Sequence, residues 1–145
     1  MRPSFALRLA AITTLLYGIA HTWALYTIHA RDSLEGLVLY MMRSHDFDFG
    51  GTTHSYWDTY FGFGLLVSVW LFVLGVLAWQ MGSLVEREPA HARPLMLTLL
   101  IGYVALCVVN SLYFFALPTL LSVAITILVI GALLRSKPKL ATASD

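Results

Sequence analysis

The stretch from Tyr56 to Trp79, YWDTYFGFGLLVSVWLFVLGVLAW, decides the fold. Past Asp58 it holds no charged residue, and about 20 mainly apolar residues are what a helix needs to cross the hydrocarbon of a bilayer. Three more runs read the same way: about Phe5 to Ile28, Leu95 to about Phe114, and Pro118 to Leu134, the shortest. Pro94 and Pro118 each fall at the start of a span, where a missing N–H leaves nothing unpaired. Only a few residues separate the last two spans, which implies a tight antiparallel hairpin. The expected fold is all-α: a polytopic transmembrane four-helix bundle, one membrane domain over residues 1–145, with a short amphipathic segment in the loop 29–55.

Composition points the same way. The chain has 145 residues, is 59% apolar and 12% charged, and has a mean hydropathy of +0.77. Soluble domains carry about 25% charged residues. A net charge of +1 leaves no footprint for nucleic acid. The single cysteine, Cys107, lies in an apolar stretch, so it forms no intramolecular disulfide and reads as a small core residue.

The basic residues set the orientation. Arg2, Arg8, Arg87, Arg93, Arg135, Lys137 and Lys139 fall on the side shared by both termini and the loop 80–94, against Arg31 and Arg43 on the other. By the positive-inside rule both termini are expected in the cytoplasm, as in a multi-pass protein of a bacterial inner (plasma) membrane. A cleaved leader is the rival reading of the first apolar run, with small residues near Ala20 and Ala24. That run is long for a leader, and Arg8 interrupts its start. In the outward loop, Ser33 is expected to cap a short helix with Leu34, Leu37, Val38 and Met41 at amphipathic spacing. Such a helix would lie on the membrane surface or fold back over the bundle mouth. Asp46-Phe-Asp-Phe-Gly-Gly51 reads as a turn, and the polar tail 136–145 is expected to be mobile.

Against this apolar background a few polar residues stand out. His21 is seven residues inside the outer end of its span, roughly 10 Å deep at 1.5 Å per residue. Asn110 is about four residues from the outer end of the third span, Ser122 about one turn into the fourth, and Asp58 opens the second. His21 shares a helical stripe with Thr14 and Tyr17, and Asn110 shares one with Tyr103, Cys107 and Phe114. His54 and Asp58, four apart, are expected to share a stripe with Phe61. If these stripes turn inward, they wall a polar, aromatic cavity open to the outside, because charged groups near hydrocarbon are costly and face an interior, a partner or water. Plainer readings exist for each residue. Asp58 suits the first turn of a helix by its dipole, or pairs with Arg31 or Arg43. Asn110 serves as interhelical glue, and His21 bonds across the bundle. Trp23, Tyr26, Tyr56, Trp57, Tyr60 and Trp79 match an interfacial aromatic belt.

The motifs Gly18-Ile-Ala-His21-Thr22 and Trp57-Asp-x-Tyr-Phe-Gly-Phe-Gly64 resemble those of a family of small four-span bacterial membrane proteins without an assigned activity. More distantly, a histidine and an acid four apart, with a tryptophan and an asparagine, is similar to the sterol-isomerase (emopamil-binding, EXPERA) group. The resemblance implies that His54, Trp57, Asp58 and Asn110 would line a lipid-facing cavity where a proton moves across a double bond. That group's second intramembrane acid has no counterpart here. DoxX-like four-span proteins resemble the architecture alone.

The expected function is therefore binding of a small lipophilic molecule, such as an isoprenoid, quinone or sterol-like compound, in an outward-facing pocket. Asp58, His54 and His21 would carry any proton-transfer chemistry, with Tyr17, Trp57, Phe61, Tyr103, Asn110 and Ser122 as binding residues. The expected partners are the lipid bilayer, that ligand, and a second copy or another membrane protein. The identity of any cofactor is left open by the sequence. Two alternatives stay open: a metal or haem site on His21, His54 and Asp58, and a non-catalytic accessory subunit of a membrane complex.

Overall fold

A computed structural model describes residues 2–136 of the chain. Its elements are α1 (Pro3–Tyr26), α2 (Ser33–Ser44), β1 (Asp46–Phe49), β2 (Thr52–Ser55), α3 (Tyr56–Arg87), α4 (Pro89–Tyr113) and α5 (Ala116–Arg135). The fold is all-α apart from one two-stranded hairpin. Helices α1, α3, α4 and α5 are long and apolar enough to cross a membrane, as expected for a multi-pass membrane protein.

The helices outrun the expected apolar spans. Helix α3 has 32 residues and ends at Arg87 rather than Trp79. Charge excludes a residue from hydrocarbon, but Glu86 and Arg87 are good helix formers. Helix α4 starts at Pro89, so only Glu88 separates it from α3, and most of the expected loop 80–94 is helical. Pro94 consequently lies inside α4 rather than at its start. Pro118 is the third residue of α5, where its missing N–H would have no helical partner.

The chain divides into two compact units, one of residues 2–17 with 71–136 and the other Gly18–Trp70. In the first, four helical segments surround one core. Ala92, Met96, Leu99, Tyr103 and Asn110 are buried along α4 in steps of four, three, four and seven. Leu71, Ala78 and Val85 of α3, and Ile125, Val129 and Ala132 of α5, keep the same period. That spacing holds one stripe of each helix toward its neighbours when helices run nearly aligned. Small residues bring the backbones close. A Cβ on Gly75 would lie 2.7 Å from Leu15 Cγ, and one on Gly82 would lie 3.3 Å from Ser4 O. Outside the stripe, Phe72, Val76, Leu97, Ile101, Val108, Leu120 and Ile127 are exposed. Water would penalise so much bare apolar surface, whereas lipid suits it.

At one end of this unit Arg93 donates to Ser136 O at 3.1 Å and so satisfies a carbonyl just past the last turn of α5. The Ser136 hydroxyl donates to Leu133 O. Ser136 is thus buried and held rather than the start of a mobile tail. The rest of that tail, 137–145, lies outside the described residues.

The second unit carries α2 and the hairpin. The cap of α2 is Asp32, not Ser33: its carboxylate accepts from Glu35 N, while the Glu35 carboxylate accepts from Arg31 N. This reciprocal arrangement stops the helix fraying at its start. Leu34, Leu37, Val38 and Met41 are all exposed, leaving the amphipathic face of α2 uncovered. The expected turn at Asp46–Gly51 is instead a full hairpin. Gly50 and Gly51 have φ of 66° and 87°, which only glycine adopts freely, and Asp48 Oδ1 accepts from Gly51 N. Antiparallel pairing sets Phe47 opposite His54 and Asp46 opposite Ser55.

Candidate functional site

Asp58 is in the first turn of α3, and the strand before it decides what it does. Ser55 ends β2 and occupies the cap position of the helix. Its backbone N–H and hydroxyl both reach Asp58 Oδ2, at 3.0 and 2.7 Å, and its Oγ lies 3.1 Å from Asp58 N. This is a capping box, with the acid placed where the helix dipole favours a negative charge. Asp58 is exposed, and its other oxygen, Oδ1, makes no hydrogen bond to any described residue. His54 is exposed on β2, so the expected helical stripe shared with Asp58 does not form; a strand turns successive side chains to opposite faces. No hydrogen bond joins the two residues.

Around this helix start the rings form a connected run. Trp57 and Phe61, four apart on α3, stack with centroids 6.2 Å apart, and Tyr26 of α1 meets the Phe61 ring edge-on at 5.1 Å. The Arg43 guanidinium lies 4.4 Å from the Trp57 ring centroid, a cation–π contact. Arg43 therefore engages Trp57 rather than Asp58. Tyr60 adds a tilted ring beside Trp57, and His45 and Phe47 pack on Tyr56.

His21, in the same unit, crosses from α1 to α3. Its Nε2 lies 3.1 Å from Gly64 O, and since a carbonyl only accepts, Nε2 carries the proton. Gly64 permits this approach: a Cβ there would fall 2.6 Å from Leu25 Cδ1. Ser68 donates to the same carbonyl.

The remaining expected site residues belong to the core of the first unit. Asn110, 3% exposed, places both amide protons, one on Tyr17 Oη and one on Pro118 O, each at 3.2 Å. One side chain thereby joins α1, α4 and α5. Tyr103, fully buried, has its hydroxyl 2.9 Å from Thr14 Oγ1 and 3.5 Å from Leu74 O, linking α4 to α1 and α3. Ser122, also fully buried, donates to Thr119 O within its own helix. These three side chains thus find partners within the bundle, whereas the buried Arg8 Nε has no hydrogen-bond partner among the described residues.

Two grooves open on the first unit. One, of about 390 Å³, is lined by α3 from Leu77 to Arg87 and by Leu95; the other, of about 320 Å³, includes Arg2 and Glu86. Neither includes any residue expected to bind ligand. Among the described residues no three His, Cys, Asp or Glu side chains gather as metal ligands, so His21, His54 and Asp58 do not form such a group.

Two roles at this site, those of Ser55 and of Arg43 over Trp57, go beyond the sequence reading. Ser55 had a signal, since Ser55-x-x-Asp58 before an apolar run is a capping-box pattern. Arg43 over Trp57 had none, because the contact depends on how α2 and the hairpin return the chain to α3. No protein-family model matches the chain, and neither does any curated protein or solved structure.

Proposed function

We propose that the chain is a multi-pass protein of a bacterial inner membrane, with both termini in the cytoplasm. Its hairpin-bearing unit, Gly18–Trp70, holds a small lipophilic molecule (an isoprenoid, quinone or sterol-like compound) at the periplasmic face. The observation that carries the reading is the connected run of Tyr26, Phe61 and Trp57 beneath Arg43. Flat apolar rings with a few convergent polar groups are the usual lining of a small-molecule site. Asp58 supports it with one carboxylate oxygen that the capping box leaves open, one residue on from Trp57. A hydroxyl or protonated head group would donate to that oxygen. His54, exposed close by in sequence, carries an imidazole that can both accept and donate a proton and is the group suited to pass one. Tyr17, Tyr103, Asn110 and Ser122 act in this reading as packing residues, because their hydroxyls and the Asn110 amide nitrogen are already bonded.

The test is mass spectrometry of lipids that co-purify with the protein in mild detergent. Wild type should retain a specific lipophilic molecule that Trp57→Leu and Phe61→Leu release while keeping their helical content. Equal retention by all three proteins would overturn the ring surface as the site. Reporter fusions after Arg87 and after Lys139 test the orientation separately, and both should read cytoplasmic.

A further inference from the structure

The groove at the other end of α3 has a different chemistry. Gln80, Ser83 and Arg87 stand at i, i+3 and i+7 and share one face of the helix, with Leu77, Leu84 and Leu95 as apolar walls. The charges around it are otherwise engaged. Glu86 lies 3.9 Å from Arg8, Glu88 lies 3.0 Å from His91, and Arg93 donates to Ser136 O. Arg8 also lies over the Trp79 ring. Arg87 makes no ion pair or hydrogen bond with any described residue, and neither do the side chains of Gln80 and Ser83. A free guanidinium therefore heads a groove whose walls are apolar and whose floor offers an amide and a hydroxyl.

Depth favours a lipid over a soluble ligand. Trp79 closes the apolar run of α3, where tryptophans commonly mark the membrane surface, and Arg87 is eight residues further, about 12 Å along the axis. The groove thus runs from the edge of the hydrocarbon through the head-group layer. Helical side chains lean toward the N-terminus, the direction from Arg87 toward Ser83 and Gln80, and all three line the same groove. A guanidinium grips two phosphate oxygens at once, which no single lysine does.

We propose that this groove binds one anionic phospholipid. Its phosphodiester is held by Arg87 with Ser83 and Gln80, and an acyl chain lies along Leu77, Leu84 and Leu95. In the orientation given above this end meets the leaflet rich in acidic lipid; only that leaflet assignment rests on the proposed topology.

The full chain is reconstituted into nanodiscs of phosphatidylcholine with one-fifth phosphatidylglycerol, which present both lipids on both faces. Lipids retained on release are then counted by native mass spectrometry. Wild type should retain phosphatidylglycerol in preference to phosphatidylcholine. Arg87→Gln should lower that preference about tenfold, the scale of one lost charge-assisted hydrogen bond. Arg87→Lys should fall between, and Leu95→Trp, which fills the groove without touching charge, should lower it too. Arg31→Gln makes the same change in net charge elsewhere and should leave the preference intact. Circular dichroism confirms the fold of each variant. The proposal is overturned if wild type shows no preference, if Arg87→Gln and Leu95→Trp both keep it, or if Arg31→Gln loses as much as Arg87→Gln.

Discussion

Asn110 provides the sharpest test of how the bundle is held. Its amide donates to Tyr17 Oη and to Pro118 O, both at 3.2 Å. Side-chain hydrogen bonds between membrane helices average about 0.6 kcal/mol and reach about 1.7. Asn110→Ala removes two such bonds, about 1.2 kcal/mol together, and opens a small void in a buried site, so the expected loss is about 2 kcal/mol. Tyr17→Phe removes only the hydroxyl and should cost about 0.6 kcal/mol. The double variant isolates the bond. Void and carbonyl terms cancel in the cycle, leaving a coupling of about 0.6 kcal/mol, with an upper bound of about 1.7. The assay is reversible unfolding in mixed micelles, or steric trapping in bicelles, on the four proteins. A coupling indistinguishable from zero would refute the bond, and with it the account of Asn110 as the residue joining α1, α4 and α5. A loss below about 0.5 kcal/mol for Asn110→Ala would refute the Pro118 contact as well.

Glycines give a paired prediction. Gly75→Ala drives a Cβ to 2.7 Å from Leu15 Cγ and should cost about 1–3 kcal/mol by overpacking, less about 1 kcal/mol returned by the better helix propensity of alanine. Gly102→Ala meets nothing within 4 Å and should be neutral or stabilising by up to about 1 kcal/mol; thermal melts of both read the sign. Ser55→Ala breaks the capping box and should destabilise by about 1 kcal/mol, measurable as a lower melting temperature. Asp58→Asn keeps an oxygen that accepts from Ser55, so it should fold normally and yet lose the co-purifying ligand. Full ligand retention by a well-folded Asp58→Asn protein would exclude a role for that charge.

Much of the architecture was legible from one dimension. A bilayer interior offers no hydrogen bonds to a peptide, so a span must be one long apolar helix, and the four runs around Ala10, Val69, Val104 and Ile125 declare themselves without knowledge of their neighbours. Boundaries were less legible. Trp79 and Leu95 bound the apolar runs, whereas a helix stops only where its hydrogen bonds do, at Arg87 for α3 and from Pro89 for α4. The hairpin has its signal in Gly50-Gly51 between two polar–aromatic segments, and its pairing puts His54 on a strand rather than on the helical stripe of Asp58.

The candidate site was legible in its residue types and not in their partners. Sequence alone determined that the chain would be all-α with four apolar spans, and that a handful of polar groups must be matched within it, because lipid matches none. Which groups meet was decided by tertiary packing: Asn110 with Tyr17 and Pro118, Thr14 with Tyr103, Asp58 with Ser55 rather than His54, and Arg43 with Trp57. A hydrogen bond or a ring contact depends on a few ångströms of helix rotation and approach. Those are set by where Gly64, Gly75 and Gly82 let the backbones close, between segments tens of residues apart in the chain.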